Sequence, residues 1–353
     1  MADKYPLTRR LEKIIEAVKF FAPSNVDELT AEVINTINKR TLPNKRAFRR
    51  LFYKSVKNIT CTTYIIPVTD GVVTGYLFNS SDSLAITSLK PLLIFFHGGG
   101  WIFGNIELYS LYCNHLAHIT NSSVLLVDYR LAPTYKFPTA VEDCFDAYLW
   151  ALQGIKYWKA DPDRIFLVGD SVGGSLAAGV SLLCRDRKKQ LPNGQILIYP
   201  VTDGRLRTES FSLYSDSPTL SAKQMQFYIR NYQREPKDIL SPLFSPLLAP
   251  DLSRQPETLI IGAEYDPLKD DGRLYAEALN DAGSKASYLE IKGAYHALIH
   301  YPKAPGADEI NCILRQFTSG RPADKVQAMT EAELKRDAKL KMELATQKLH
   351  EEE

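Results

Sequence analysis

A serine at the end of a buried apolar run carries the clearest chemical signal in the sequence. Ser171 lies in Gly169-Asp170-Ser171-Val172-Gly173-Gly174, between the apolar run Ile165–Val168 and a helical pattern that starts at Ser175. A serine at a strand-to-helix turn needs a strained backbone, and glycines on both sides relieve the crowding. The hydroxyl then stands above the sheet edge, beside N–H groups that the helix leaves unpaired. We therefore predict Ser171 as a nucleophile.

Three successive glycines follow a second apolar run. The segment His97-Gly98-Gly99-Gly100-Trp101 comes directly after Leu92–Phe96. Glycines at a strand end let backbone N–H groups approach a ligand oxygen without interference from a Cβ atom, as an oxyanion hole requires. A flexible turn or a phosphate-binding loop would also fit this run alone. It lacks the Lys-Ser/Thr of a P-loop and the spacing of a dinucleotide fingerprint, so nucleotide binding is not predicted.

A nucleophilic serine needs a base, which must come from six histidines. Four of these are set aside, because they lie in the glycine loop, on a predicted helix or in the C-terminal tail: His97, His115, His118 and His350. His296 follows the strand-like segment Tyr288–Ile291 and a short loop, a position from which a histidine side chain can lie over the end of a sheet. We predict His296 as the base and His300 as a surface or packing residue.

An acid must hold the tautomer of the base, and Asp266 stands just beyond the apolar run Leu259–Ile261. The rivals Asp270 and Asp271 are interpreted as charges at the N-terminus of a following helix. The chain order Ser171, Asp266, His296 is that of α/β-hydrolases and differs from the order in the chymotrypsin and subtilisin folds.

The elements around these residues begin with two predicted amphipathic helices, Leu7–Val18 and Leu29–Ile37, the second after a Ser24-x-x-Asp27 start. A hairpin around Asp70-Gly71 follows. Buried runs then alternate with helical patterns such as Ala140–Leu152, which predicts an α/β fold with a mostly parallel sheet. The runs in question are Leu92–Phe96, Val124–Val127, Ile165–Val168, Ile196–Tyr199 and Leu259–Ile261.

The composition of the chain excludes several classes of function. The chain has 353 residues and a net charge of +2, so nothing drives sequence-independent nucleic-acid binding. The N-terminus offers no uninterrupted apolar signal segment, and no later stretch is long and apolar enough to span a bilayer. Five scattered cysteines argue against a disulfide framework and predict a cytoplasmic protein. His115 and His118 lack further ligands at a usable spacing, so helix-face packing is predicted and a metal is not.

Taken together, these residues resemble the hormone-sensitive lipase group, or bacterial family IV, of α/β-hydrolase esterases. The resemblance runs from about residue 91 to residue 301. It rests on six ordered blocks: His97–Trp101, Asp128–Pro133, Phe137–Ala140 with Asp143, Gly169–Gly174, Ser245–Leu247 and Asp266–Asp270.

The strand–helix alternation breaks between Thr202 and Pro256, the composition changes beyond Gly320, and the resemblance implies that the N-terminal helices and the insertion form a cap. Together these observations predict a domain plan. The plan has N-terminal helices as part of a cap (1–55), a first core part (56–201), a cap insertion (202–250), a second core part (251–320) and a charged helical or disordered tail (321–353). The resemblance also implies hydrolysis of short- to medium-chain carboxylic esters without a cofactor.

By resemblance Ser171 is the nucleophile, His296 the general base and then acid, and Asp266 the residue that orients it. The oxyanion donors would be the N–H groups of Gly99, Gly100 and Val172. The supporting motif residues are His97, Gly98, Trp101, Gly169, Asp170 and Gly173. Two residues depart from the family pattern, Thr134 in place of Glu and Val172 in place of Ala. The β-branched Val172 is expected to narrow the space beside the nucleophile.

Several alternatives stay open at this level. An arylacetamide or acetyl-group deacetylase would use the same triad, and a non-catalytic ligand receptor would use the same scaffold. The presence of His296 favours an enzyme. The aromatic and apolar side chains of the insertion either line a substrate pocket or pack the cap onto the core: Phe211, Leu213, Tyr214, Phe227, Tyr228 and Tyr232. Homodimer formation and docking of a protein partner by the tail also stay open.

Overall fold

The computed structural model describes residues 4–80, 89–330, 332–333 and 336. Its centre is an eight-stranded sheet in the order β1-β2-β4-β3-β5-β6-β7-β8. The first two strands form the predicted hairpin, β2 pairs antiparallel with β4, and all later pairings are parallel. The strands are β1 (Ile59–Val68), β2 (Gly71–Ser80), β3 (Lys90–Phe96), β4 (Ser123–Asp128), β5 (Ala160–Asp170), β6 (Gly194–Ile198), β7 (Glu257–Tyr265) and β8 (Ala286–Tyr295).

Ten α-helices are present in the described part of the chain. They are α1 (Arg9–Phe21), α2 (Ala31–Asn38), α3 (Arg46–Arg49), α4 (Ile106–Thr120), α5 (Thr139–Gly154), α6 (Val172–Asp186), α7 (Glu209–Leu213), α8 (Ala222–Tyr232), α9 (Lys269–Asp281) and α10 (Ala307–Thr318).

Helices cover both faces of the sheet, which explains the unbroken apolar runs. All seven residues of β3 are buried. Leu92, Ile94 and Phe96 pack into the same cluster as side chains of α5 and α6, whereas Leu93 and Phe95 pack into a second cluster with α4 and α10. Because successive side chains of a strand point to opposite faces, each face needs its own apolar set. The predicted α/β architecture is confirmed.

The N-terminal helices form where the sequence predicts them, with one correction. The second helix does not start after Ser24-x-x-Asp27, because Thr30 caps it by accepting a hydrogen bond from the Val33 N–H, and α2 begins at Ala31. Helix α1 buries its apolar side chains in a third cluster that includes Leu108, Tyr295 and Tyr301, near the end of β8. This contact places α1 over the carboxyl end of the sheet.

The insertion 202–250 contains α7 and α8 and two short 3₁₀ helices, Pro236–Leu240 and Pro246–Leu248. Its two ends are tied together, since the Leu247 N–H donates to the Thr202 carbonyl. Its base is tied to the core, since the buried Asp271 accepts hydrogen bonds from the N–H groups of Thr202 and Asp203. The insertion therefore lies on the core beside the first turn of α9.

The beginning of the predicted tail packs on the core. Ala323 and Val326 are buried, and the Ala323 N–H donates to Glu257 on β7. Most of the tail beyond residue 330 lies outside the described residues. In the described part no helix is long and apolar enough to cross a membrane.

Candidate active site

Ser171 occupies the turn between β5 and α6. Its backbone has φ 56° and ψ −124°, a strained conformation for a residue with a side chain. A Cβ atom at Gly169 would lie 2.2 Å from the Gly173 carbonyl oxygen, and one at Gly173 would lie 2.0 Å from the Phe96 oxygen. Both positions therefore require glycine, because the two halves of the turn pack closely against each other and the turn packs closely against the end of β3.

Three predicted residues meet above the sheet edge. His296 Nε2 lies 2.9 Å from Ser171 Oγ, and His296 Nδ1 lies 2.7 Å from Asp266 Oδ2. The other carboxylate oxygen of Asp266 accepts a hydrogen bond of 2.8 Å from the Leu268 N–H. All three side chains are buried, with Asp266 at 0% exposure. The hydrogen bond from Leu268 fixes Asp266, and Asp266 in turn fixes the imidazole ring against the serine.

The glycine loop lies against this group. Gly99 and Gly100 have φ values of +109° and +66°. A Cβ atom at Gly99 would lie 2.1 Å from the Phe103 carbonyl oxygen. Among the described residues, the backbone N–H groups of Gly99 and Gly100 find no acceptor. Val172 is the first residue of α6, so its N–H also lacks a partner within the helix. The predicted donors are thus available to an oxygen atom of a ligand.

Asp170 connects the serine turn to the glycine loop. Its Oδ1 accepts a hydrogen bond of 2.9 Å from the Gly98 N–H, and its Oδ2 accepts one of 3.1 Å from the Tyr109 hydroxyl. The Tyr109 oxygen also accepts from the Gly98 N–H at 2.9 Å. Burial raises the pKa of Asp170 to about 6, opposed by these donors and by His296. Sequence reasoning placed Asp170 in the motif but missed Tyr109, whose partner is 61 residues away.

His97 and Trp101 anchor the two ends of the glycine loop by packing against neighbouring aromatic rings. The His97 ring stacks on Tyr129 with centroids 4.2 Å apart, and the Tyr129 hydroxyl donates to the His97 carbonyl at 2.6 Å. Burial lowers the pKa of His97 to about 4, which keeps the ring neutral near pH 7. Trp101 stacks on Tyr232 of α8 at 4.5 Å. The loop is therefore held by Tyr129, directly after β4, on one side and by the insertion on the other.

A cavity of about 90 Å³ opens onto Ser171 and His296. The insertion supplies Thr219, Leu220 and Tyr228 to its wall, and α1 supplies apolar side chains. Five of the six insertion residues weighed as pocket residues do not line this cavity. They pack elsewhere or face solvent: Phe211, Leu213, Tyr214, Phe227 and Tyr232.

His300 also lines the cavity, so it is a buried packing residue rather than a surface one. It packs edge-on against Tyr109 at 4.5 Å. Burial lowers its pKa to about 3, so the ring stays neutral. The cavity residues Val18 and Phe21 of α1 were missed too. Their only signal in the sequence was the amphipathic pattern of that helix.

The remaining candidates lie apart from this group. Asp270 and Asp271 are in the first turn of α9, as predicted, and bond to the insertion rather than to His296. His115 stacks on Tyr53 at 3.9 Å, in agreement with helix packing, and His118 is exposed. No group of three His, Cys, Asp or Glu in the described part of the chain could hold a metal ion.

Comparison with known proteins decides the family. A family model of the alpha/beta hydrolase fold matches residues 93–300. The chain belongs to this family. The resemblance to the hormone-sensitive lipase group and the predicted fold are both confirmed. The expectation of a hydrolase acting on carboxylic ester bonds is confirmed at the level of the family.

Two curated relatives of this α/β-hydrolase are esterases by name. An arylesterase of Saccharolobus solfataricus is 40% identical over 213 residues, which cover 60% of this chain and 69% of the relative. An ethyl acetate hydrolase of Pseudomonas putida is 38% identical over 205 residues, which cover 58% of this chain and 64% of the relative. The match thus spans about two thirds of each relative.

A solved structure, the hyperthermophilic esterase of Pyrobaculum calidifontis, aligns over more of the chain. It has a TM-score of 0.77 and 29% identity, and the alignment covers 91% of this chain and 100% of that protein. The similarity therefore includes regions on both sides of the residues that the family model matches.

Proposed function

We propose that this protein is a serine carboxylesterase that hydrolyses small carboxylic esters through an acyl-enzyme on Ser171. The continuous hydrogen-bonded chain from Ser171 Oγ through His296 to Asp266, with distances of 2.9 and 2.7 Å, carries the proposal. A buried imidazole in contact with both a hydroxyl and a carboxylate is the arrangement that activates a weak oxygen nucleophile.

In the first step Ser171 Oγ attacks the ester carbonyl carbon while His296 Nε2 takes the hydroxyl proton. The carbonyl oxygen becomes an oxyanion, which the N–H groups of Gly99, Gly100 and Val172 stabilise. His296 then donates the proton to the alkoxide as the C–O bond breaks, and the alcohol leaves. Water repeats the sequence on the acyl-enzyme and releases the acid. Asp266 accepts the hydrogen bond from His296 Nδ1–H and stabilises the imidazolium.

The size of the cavity favours short acyl or alcohol groups. A volume of about 90 Å³ leaves little room next to Ser171 for a long chain. Val172 is fully buried beside the nucleophile, where the family usually has alanine. We therefore propose short-chain esters as the preferred substrates and expect activity to decline as the acyl chain lengthens.

A deacetylase acting on acetylated amines is the second candidate. A human relative named arylacetamide deacetylase-like 3 is 28% identical over 322 residues, which cover 71% of this chain and 79% of that protein. The same attack and the same proton transfers would cleave an amide, so the substrate alone separates the two activities. A receptor without catalysis is disfavoured, because His296 is present and bonded to both partners.

Hydrolysis of p-nitrophenyl esters from acetate to palmitate by the wild type and by Ser171→Ala tests the proposal. We expect the rate to peak at a short acyl chain and to be at least ~10⁴-fold lower in the variant. A fluorophosphonate should label the wild type but not the variant. Labelling without ester hydrolysis would move the assignment to an amide or a specialised ester. A Ser171→Ala protein as active as wild type would refute the mechanism.

A further inference from the structure

The N-terminal region and the rest of the chain carry opposite net charges. Residues 1–57 hold 13 Lys and Arg against 6 Asp and Glu, whereas the whole chain has a net charge of only +2. Within this region, residues 39–57 contain eight Lys and Arg and no acidic residue. The small overall charge thus conceals a strongly basic segment.

The fold gathers these cations on one surface. A cleft of about 570 Å³ is lined in part by Arg46, Arg50 and Lys54. A second cleft, of about 430 Å³, is lined in part by residues of α1, by Arg50 and by Lys303. Arg50 belongs to both clefts, so the two form a continuous surface. We call this surface the basic face and define it by Arg9, Arg10, Lys13, Arg46, Arg50 and Lys303.

The basic face is not neutralised within the protein. All six side chains are exposed, and none pairs with an acidic side chain among the described residues. The neighbouring Arg49 lies 3.8 Å from Glu107. Glu12 and Glu16 are also exposed on α1 but form no ion pair with these six cations, which outnumber them. The surplus of cations produces a positive potential that attracts an anionic partner.

The shape of the basic face favours a broad anionic surface over a single small anion. Its cations come from α1, from the segment around Arg50 and from Lys303, and they spread over two clefts instead of converging on one point. Apolar side chains accompany them, including Leu51 in one cleft and Leu7, which is 44% exposed just before α1. Cations interspersed with apolar side chains are typical of surfaces that contact lipid headgroups.

We propose that the basic face docks the protein onto membranes that contain anionic phospholipids. The lipid phosphates would contact the arginines and lysines, and Leu7 would contact the acyl-chain boundary. Helix α1 would then connect the membrane surface to the cavity at Ser171, because residues near its start line a basic cleft and Val18 and Phe21 near its end line that cavity. Docking would bring the enzyme close to esters dissolved in the bilayer. The proposal rests on this surface alone and is independent of the reaction proposed for Ser171.

Co-sedimentation with vesicles tests the proposal. The vesicles contain phosphatidylcholine alone or phosphatidylcholine with phosphatidylglycerol. We expect binding only to the anionic vesicles, and loss of that binding at ~0.5 M salt. Arg46→Gln/Arg50→Gln should weaken the partition coefficient about 25-fold. The control Lys188→Gln/Lys189→Gln removes two exposed cations outside the basic face and should bind like wild type.

Hydrolysis of p-nitrophenyl acetate in solution should be equal in these proteins, which shows that each is folded. Should the glutamine variant be unstable, Arg46→Lys/Arg50→Lys keeps the charge and should restore binding. Equal binding to neutral vesicles, or wild-type binding by the glutamine variant, would overturn the proposal. So would saturable, Arg50-dependent binding of inorganic phosphate, full competition by a DNA duplex, or a change of oligomeric state in the variant.

Discussion

The catalytic cavity has two walls of different construction. The core wall consists of the glycine loop, the Ser171 turn and His296, at the ends of β3, β5 and β8. The cap wall consists of α1, the Thr219–Leu220 segment and Tyr228 of α8. Atoms of the core wall are fixed by backbone contacts so close that a Cβ atom would not fit. The cap wall is fixed by side-chain packing. In the proposed reaction the core wall carries out the chemistry, and the cap wall determines which substrate fits.

The largest effect is expected from Gly173→Ala in the core wall. The new Cβ atom would lie 2.0 Å from the Phe96 carbonyl oxygen, so β3 and the serine turn must separate. We expect destabilisation of ~4 kcal/mol or more and loss of hydrolysis. Gly283→Ala is the control. Gly283 has φ +79°, but no atom of the described residues lies within 4 Å of an added Cβ atom, so this variant should lose only ~1 kcal/mol of stability. Similar melting temperatures for the two variants would contradict this view of the core wall.

Asp170→Asn tests how the core wall is held together. The amide no longer offers two acceptor oxygens to the Gly98 N–H and the Tyr109 hydroxyl, so the oxyanion donors lose their position. We expect kcat to fall ~100-fold with little change in KM and in melting temperature. Tyr109→Phe removes only the hydroxyl and should have a smaller effect. A change in KM with kcat intact would assign Asp170 to substrate binding instead.

Titration of Asp170 is expected to make the activity depend on pH. Burial raises the pKa of Asp170 to about 6, so the carboxylate is protonated as the pH falls through that value. Protonation removes an acceptor from the glycine loop, and activity should decline. The wild type should therefore lose kcat/KM more steeply in acid than Asp170→Asn, in which residue 170 does not titrate. Parallel losses in the two proteins would contradict the role of the ionised carboxylate.

Tyr232 tests whether the insertion supports the core wall. Its ring stacks on Trp101 of the glycine loop at 4.5 Å, and its buried hydroxyl has no hydrogen-bond partner among the described residues. Tyr232→Ala should destabilise the protein by ~3 kcal/mol and lower kcat ~10-fold. Tyr232→Phe keeps the stacked ring and should resemble wild type in both melting temperature and kcat. If both variants retained wild-type kcat, the glycine loop would not depend on the insertion.

The smallest effect is expected from Leu220→Ala in the cap wall. The shorter side chain enlarges the cavity, so the preferred acyl chain should lengthen, with a change of ~10-fold in the ratio of kcat/KM between neighbouring esters. Leu213→Ala is the matched control, because Leu213 is 52% exposed and does not line the cavity. An equal shift in both variants would show that the cap wall has been assigned wrongly.

The same contrast explains what the sequence could predict. Ser171, His296, Asp266 and the glycines all follow buried strands, and local backbone geometry requires the glycines, so motif and position along the chain locate these residues. Tyr109 and His300 depend on the packing of α4 against the loop after β8, which no local pattern encodes.

The packing of the aromatic side chains in segment 202–250 could not be predicted from the sequence. Which of its aromatic side chains faces Ser171 depends on how α8 is placed on the core, and only Tyr228 among the six candidates lines the cavity. The predicted start of α2 was wrong because Thr30 and Ser24 are both suitable N-cap residues, and in the structure the Thr30 hydroxyl accepts the hydrogen bond from the Val33 N–H.

The central claim is that Ser171 carries the acyl group during hydrolysis. The most direct test is to quench the reaction with p-nitrophenyl acetate in acid and to measure the mass of the peptide that contains Ser171. We expect an added acetyl group on Ser171 in the wild type and none in Ser171→Ala. Sustained hydrolysis with an unmodified Ser171, under conditions where an initial burst of p-nitrophenol shows that an intermediate accumulates, would contradict the account.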